Sequence, residues 1–251
     1  MKRNLTKFAR DSRKKRKFLA TDIDSASDSE SEFALQVLEE PRKMWRDMSS
    51  NKSTIFRSGA RVTFFSEVTP ATTARMLVLV EEAAEMILIG RSSDTTRFKD
   101  GCVELLISSN GGDAISGLAA YDALQRCSVP IRGIICGACS SAATMILLGC
   151  TERCAQSHSF MMLHNIRTAF SGSCNEARVD ISNAEMISHA YQAIYEQLSS
   201  MSAEHILHEM NNEGMLTAAS ALALGLIERI LGPVRSISRG QRMPFVTVAA
   251  L

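Results

Sequence analysis

The sequence carries almost no net charge: 28 Lys/Arg against 27 Asp/Glu leave +1. Overall charge therefore argues for neither nucleic acid nor an acidic partner. Its seven cysteines are odd in number and scattered through apolar segments. That pattern argues against a paired disulfide framework, and most of them read as reduced, buried thiols in a cytosol-like compartment. No apolar h-region follows Met1, so no secretory leader is expected. No Gly-x-x-x-x-Gly-Lys-Ser/Thr loop is present, which excludes that phosphate cradle. There is no internal repeat. One long charge-free run, Gly133 to Cys150, reaches the length of a membrane span. Gly137, Gly149, Ser140, Ser141 and Thr144 interrupt it, and Arg132 and Glu152 bound it. A buried strand, turn and helix is the expectation, with no membrane partner.

What is present suits one α/β domain with tails, since 251 residues at 45% hydrophobic can bury a sizeable core. The expected division is a tail over residues 1–55, a folded domain over 56–232 and a second tail over 233–251. Residues 2–17 hold nine Lys/Arg, including Arg13-Lys14-Lys15-Arg16-Lys17, and Asp22 to Glu32 is an acidic, serine-rich block. Neither can bury enough apolar surface to fold alone. The readings for this tail are a solvated segment or a targeting or docking segment.

Val62 to Phe65 reads as a strand. Thr69-Pro70 marks a helix start, with Thr as cap and Pro in the first helical position, followed by apolar residues at helical spacing from Met76 to Ala84. Arg91 to Gly101 reads as a polar loop. Val103 to Ile107 reads as a strand, Ala114 to Arg126 as a helix, and a strand follows Pro130. Short strands are expected at Cys154-Ala155 and Phe160 to Leu163. Helices are expected over about Glu176 to Met201, from Ser202, and over Thr217 to Leu224, with a last strand at Leu226-Ile227. This alternation predicts a parallel sheet with helices packed on it through right-handed crossovers.

Two glycine turns are expected after successive strands, one at Gly111-Gly112 and one at Gly137. Both lie at the sheet's C-terminal edge, where sites gather. The second opens Gly137-Ala138-Cys139-Ser140-Ser141, an elbow that exposes a serine hydroxyl beside backbone N–H groups. That is the requirement for attack on a carbonyl, a nucleophile next to donors for the oxyanion. His164 downstream is the candidate base.

These motifs resemble the Clp protease proteolytic subunits, the caseinolytic serine peptidases. The matching runs are Ser109-Asn110-Gly111-Gly112, Gly137 to Ala142 and Met161-Met162-Leu163-His164. They are joined by Gly117 to Asp122 and by Thr217-Ala218 through Gly225-Leu226-Ile227-Glu228, over about Arg61 to Leu231. Ser141 and His164 stand close to the family's separation.

The resemblance implies a crotonase-like superhelical βαβ fold with a long handle helix. It implies Ser141 as nucleophile, His164 as general base and the backbone N–H groups of Gly111 and Ala142 as oxyanion donors. It further implies a serine endopeptidase acting on unfolded polypeptides inside heptameric rings, with ATP used only by a partner Clp-type AAA+ unfoldase. No cofactor or metal belongs to the chain itself. The helix from Glu176 corresponds to the handle that pairs two rings, with the seam from Ile187 to Met201 fitting that contact. The expected compartment is cytoplasmic, with organellar or nuclear targeting by the basic segment as the alternative.

The chain departs from the family pattern at several positions. Asn110 replaces a proline, Ala143 replaces a glycine, and Asn165-Ile166 follows His164 in place of Gln-Pro. By alignment Glu213 takes the place of the orienting aspartate; Asp180 and Glu209 are the other candidate acids. Two other function classes stay open: an inactive ring subunit with an assembly role, and a crotonase-like acyl-CoA enzyme whose glycine-turn N–H groups bind a thioester oxygen.

A redox reading of Cys136-Gly137-Ala138-Cys139 is disfavoured because the motif sits in the wrong βαβ order. A zinc site adding Cys150 and Cys154 would have to span a buried helix. His205 and His208 lack an evident third ligand. His158 is expected in a turn and His189 on the long helix as a solvated or packed residue.

Overall fold

The structure is a computed structural model that describes residues 54–92, 101–169 and 171–232. Residues 1–53 and 233–251 of the expected tails and residues 93–100 of the expected loop lie outside the described residues; Thr54 and Ile55, expected in the tail, already belong to the first strand, and Arg91 and Ser92, expected in the loop, end a helix.

Strand β1 (Thr54–Ser58) and strand β2 (Arg61–Phe65) form an antiparallel hairpin through Gly59, which takes φ +60° at the turn. The hairpin begins before the strand foreseen at Val62. Helix α1 (Pro70–Ser92) follows, then β3 (Val103–Ser109), α2 (Ala114–Gln125), β4 (Ile131–Ser140) and the short α3 (Ala142–Leu148). Next come β5 (Glu152–Gln156), β6 (Phe160–Met162), the long α4 (Cys174–Leu198), α5 (Ala203–Asn212), β7 (Met215–Thr217), α6 (Ala218–Ala223) and β8 (Arg229–Leu231). The sheet order is β1-β2-β3-β4-β5-β8, parallel from β2 onward, with β6 parallel to the far end of β4 and β7 antiparallel to β6. The expected parallel α/β architecture is therefore present, with two antiparallel additions. No described helix is long and apolar enough to cross a membrane.

The strands bury alternate residues. Val103, Leu105 and Ile107 of β3 are wholly buried, as are Val62 and Phe64 of β2. With Ile131 and Ile135 they meet Met76, Val80, Ala83 and Ile87 of α1 and the fully buried Met145 to Leu148 of α3. Period-two burial places these residues on one face. The alternate positions carry a row of opposite charges in register: Arg61 beside Glu104, Glu104 beside Arg132, Arg132 beside Glu152. Arg61 Nη2 lies 2.7 Å from Glu104 Oε2 and Arg132 Nε 2.5 Å from Glu152 Oε2, and Arg229 closes on Glu152 at the end of the row.

Three sequence expectations change. Gly137 does not end its strand. β4 runs on to Ser140, and its register against β3 passes from Ile107 beside Ile135 to Ser109 beside Cys139. The extra residues form a bulge in which Gly137 takes φ +145°, and there β4 exchanges β5 for β6 as its neighbour. The last strand falls at Arg229–Leu231, because Leu226 and Ile227 are buried in the connection that leads to it. Helix α4 stops at Leu198, short of the expected Met201, and its seam serves the chain's own core: Tyr191 and Tyr195 are buried, as is Met201 just past the helix end, and Ile187, Ile194 and Leu198 pack against the core. The exposed apolar residues of α4 are Val179, Ile181 and Met186, nearer its start.

Candidate active site

Three adjacent strand ends build the site. At this edge the order is β3, β4, β6, so the segments leaving β3 and β6 flank the segment leaving β4. Ser109 pairs with Cys139, and Ser140 with Met162. Continued one or two residues, that register sets Gly111 on one side of Ser141 and His164 on the other.

Ser141 is the elbow between β4 and α3. It holds φ 56° and ψ −129°, one of two positive φ values at a described non-glycine residue. Such a conformation persists only where surroundings enforce it, and it is a recurrent mark of reacting groups. The Ser141 N–H donates to the Met162 carbonyl at 2.9 Å, and its side chain makes no capping bond to α3. The hydroxyl is thus not spent on the helix. The neighbouring Ser140 is buried within β4, which separates the two serines that the sequence leaves adjacent.

Gly111 packs directly on this elbow. A Cβ there would stand 2.5 Å from Ser141 Cβ, 2.7 Å from the Ser140 carbonyl oxygen and 3.1 Å from Ala142 N, and its φ is +95°. Both facts demand glycine. The Gly111 N–H, named as an oxyanion donor from the motif, donates to Ser109 Oγ at 3.1 Å. Val68 pairs with the turn in a parallel bridge, donating to the Gly111 carbonyl and accepting from Asp113 N–H, each at 2.8 Å. A parallel bridge takes its bonds from the neighbours of its central residue, so the N–H of Gly112 is left unused by it. Gly112 is the donor candidate that motif reading passed over.

His164 follows β6 by two residues and is half-buried. Its Nδ1 lies 2.6 Å from the Asn165 carbonyl oxygen. A carbonyl only accepts, so Nδ1 carries a proton, and in the neutral ring that leaves the lone pair on Nε2. That is the tautomer a general base requires. Asn165 is in turn tied to α5: its N–H donates to the Met210 carbonyl at 3.2 Å and its Nδ2 to Asn211 Oδ1 at 2.5 Å.

Glu213, the acid placed by alignment, lies in the same corner as the C-cap of α5 with φ 52°. Its exposed carboxylate pairs with Arg167, and the Asn165 carbonyl occupies the imidazole nitrogen that an acid would take. Of the other candidate acids, Glu209 pairs with His205 at 3.4 Å and Asp180 is exposed on α4.

The alternative chemistries find no support in the described residues. No disulfide joins any of the seven cysteines. Burial pushes the Cys136 thiol up to about 11, with Arg61 partly opposing, and burial also raises Cys139, Cys150 and Cys154. A redox motif needs the reverse shift. No group of three metal-ligating side chains occurs among the described residues. His158 stands in an exposed turn and His189 is exposed on α4.

Comparison with known proteins gives the same answer. The ATP-dependent Clp protease proteolytic subunit of Deinococcus radiodurans is 23% identical over 141 residues, 55% of this chain and 69% of that protein. The one from Pleurastrum terricola is 27% identical over 128 residues, 50% of this chain and 65% of that protein. The alignments thus span about two thirds of each relative. The family model described as Clp protease matches residues 92–234, and with the elbow serine, the glycine turn and the histidine ordered as above, the chain belongs to the Clp protease family.

Proposed function

We propose that the chain is a serine-type peptidase subunit that cleaves unfolded polypeptides within an oligomeric chamber. Ser141 attacks the scissile carbonyl, and His164 Nε2 takes its proton and later passes it to the leaving amine. The N–H of Ala142 and one glycine N–H of the Gly111-Gly112 turn receive the oxyanion. This chemistry draws on serine, imidazole and backbone alone, so the chain needs no cofactor of its own. ATP-driven unfolding falls to a partner ATPase, which suits a sequence without a phosphate-binding loop of the Gly-x-x-x-x-Gly-Lys-Ser/Thr type. Assembly into rings, heptameric by resemblance, and a reducing, cytoplasm-like compartment complete the reading.

The observation that carries it is the half-buried serine at φ 56°, pressed against Gly111 and flanked by the strand that delivers His164. The test is labelling with a fluorophosphonate together with cleavage of a short fluorogenic peptide. The wild-type chain is expected to label at Ser141 and to cleave. Ser141→Ala is expected to do neither, a loss of at least about 10⁴-fold, while its assembled mass stays unchanged. A folded wild-type chain that fails to label would turn the conclusion to a ring subunit with an assembly role.

A further inference from the structure

The elbow that carries Ser141 is held from behind by hydroxyl groups that the acyl chemistry does not touch. The Ser141 carbonyl accepts two hydrogen bonds, both from Thr144: from its N–H at 2.9 Å and from its Oγ1 at 2.6 Å. Thr144 is fully buried, and so is Tyr195 of α4, whose hydroxyl lies 2.7 Å from Thr144 Oγ1. A hydroxyl has a single proton. That of Thr144 goes to the Ser141 carbonyl, so the second bond runs from Tyr195 O–H to Thr144 Oγ1. Burial raises the Tyr195 phenol well above its ordinary range, which keeps that proton in place. Tyr191, one turn earlier, meets Tyr195 edge-on at 6.3 Å and donates to the Ala114 carbonyl at 2.9 Å. The two tyrosines therefore tie α4 to both flanks of the site.

The Ser141 carbonyl and the Ala142 N–H are opposite ends of one planar, trans peptide unit. Fixing the direction of the carbonyl fixes the N–H in the opposite direction. Ala142 N stands on the Gly111 side of the elbow, 3.1 Å from where a Cβ on Gly111 would lie. Hydrogen bonds in series in a buried site also polarise one another, so a proton donated to the carbonyl makes the N–H of the same peptide a stronger donor.

We propose that Thr144 and Tyr195 are positioning residues for the peptidase reaction, a directed chain from Tyr195 O–H through Thr144 Oγ1–H to the Ser141 carbonyl that aims the Ala142 N–H at the developing oxyanion. The proposal rests on the peptidase reading of Ser141. Neither side chain meets the substrate. Their effect therefore falls on the transition state, where charge appears on the oxyanion, and leaves ground-state binding alone.

The test uses full-length Thr144→Val, Thr144→Ser and Tyr195→Phe. It measures kcat and KM on a fluorogenic peptide, the rate of fluorophosphonate labelling, the affinity of a peptide boronate that forms a tetrahedral adduct on serine, and thermal midpoints. Removing an oxyanion donor outright lowers turnover about 10²- to 10³-fold, and misaiming one is expected to give about 10- to 100-fold in Thr144→Val. KM should stay within about twofold, and boronate affinity should fall in step with kcat/KM. Thr144→Ser restores the hydroxyl and should recover turnover to within about threefold. Tyr195→Phe, which removes one oxygen, should lose about 3- to 10-fold.

Wild-type kcat/KM in both Thr144→Val and Tyr195→Phe would overturn the proposal. So would a loss in Thr144→Val that Thr144→Ser fails to recover, or one that appears in KM alone. Should Thr144→Val not fold, Tyr195→Phe decides by the same criteria. A wild-type chain that does not label removes the peptidase reading and this proposal with it. Labelling in the wild type at an undiminished rate in both variants removes only the proposal.

Discussion

Ser141 adopts a backbone conformation that costs a non-glycine residue about 1–3 kcal/mol, and the neighbours that enforce it can be named. Met162 holds its N–H, Thr144 holds its carbonyl and Gly111 leaves its side chain room. His164 is fixed in the proton-accepting tautomer by a main-chain carbonyl rather than by an acid. Glu213 instead faces Arg167, a pair whose side chains are 38% and 70% exposed and which contributes at most about 1 kcal/mol to stability. Glu213→Ala is therefore expected to leave the thermal midpoint nearly unchanged and to lower kcat by less than about tenfold, because the Asn165 carbonyl already orients the ring. Steady-state kinetics on the fluorogenic peptide decide it. A loss approaching 10⁴-fold, the scale set by removing a triad acid, would assign the orienting role to Glu213 after all.

At the scale of elements, α4 divides in two. Its second half is anchored by Tyr191, Tyr195 and Leu198 against the core, whereas Val179, Ile181 and Met186 stand 59%, 48% and 63% exposed on its first half. A capping box at Ser173 and Glu176 closes the start of the helix, so the exposed half is built as a regular surface. Exposed apolar residues on an ordered helix suit contact with another copy. Ile181→Glu is expected to shift the assembled mass downward in light scattering while the stability of the isolated chain stays within about 0.5 kcal/mol of wild type. An unchanged mass would place the assembly contact elsewhere.

The sequence placed α4 to within two residues at its start and three at its end, because its periodicity is a local signal, whereas its cap at Ser173 went unread. It could not divide the seam between core and surface, since that depends on which elements lie opposite. The same holds for Gly137. A glycine after an apolar run reads alike as a turn or a bulge, and only the exchange of β5 for β6 beside β4 decides between them. Ser141, His164 and the Gly111-Gly112 turn were legible because each sits at a strand end whose order the chain dictates. The bridge between Val68 and Gly112 and the Arg167–Glu213 pair were not, because hydrogen-bond direction and ion pairing are set by tertiary contacts.

For the molecule as a whole, the thiols make stability depend on alkaline pH. No disulfide joins any of the seven cysteines, and burial raises Cys136 to about 11 from an ordinary value of 9.0, with Cys139, Cys150 and Cys154 raised as well. In the unfolded chain these groups lose their protons near pH 9, while in the folded chain they keep them to higher pH. The folded state therefore binds more protons across this window, and stability falls as pH rises through it. The contribution is fully present at pH 7, begins to be lost near pH 9 and continues to fall through about pH 11. Each fully buried thiol adds on the order of 1 kcal/mol per pH unit to that slope. Urea midpoints measured with a reductant present should be flat from pH 7 to 8.5 and decline steadily above 9. Cys136→Ala should decline less steeply than wild type between pH 9 and 11, and identical slopes for the two proteins would show that this thiol keeps its ordinary acidity in the folded chain.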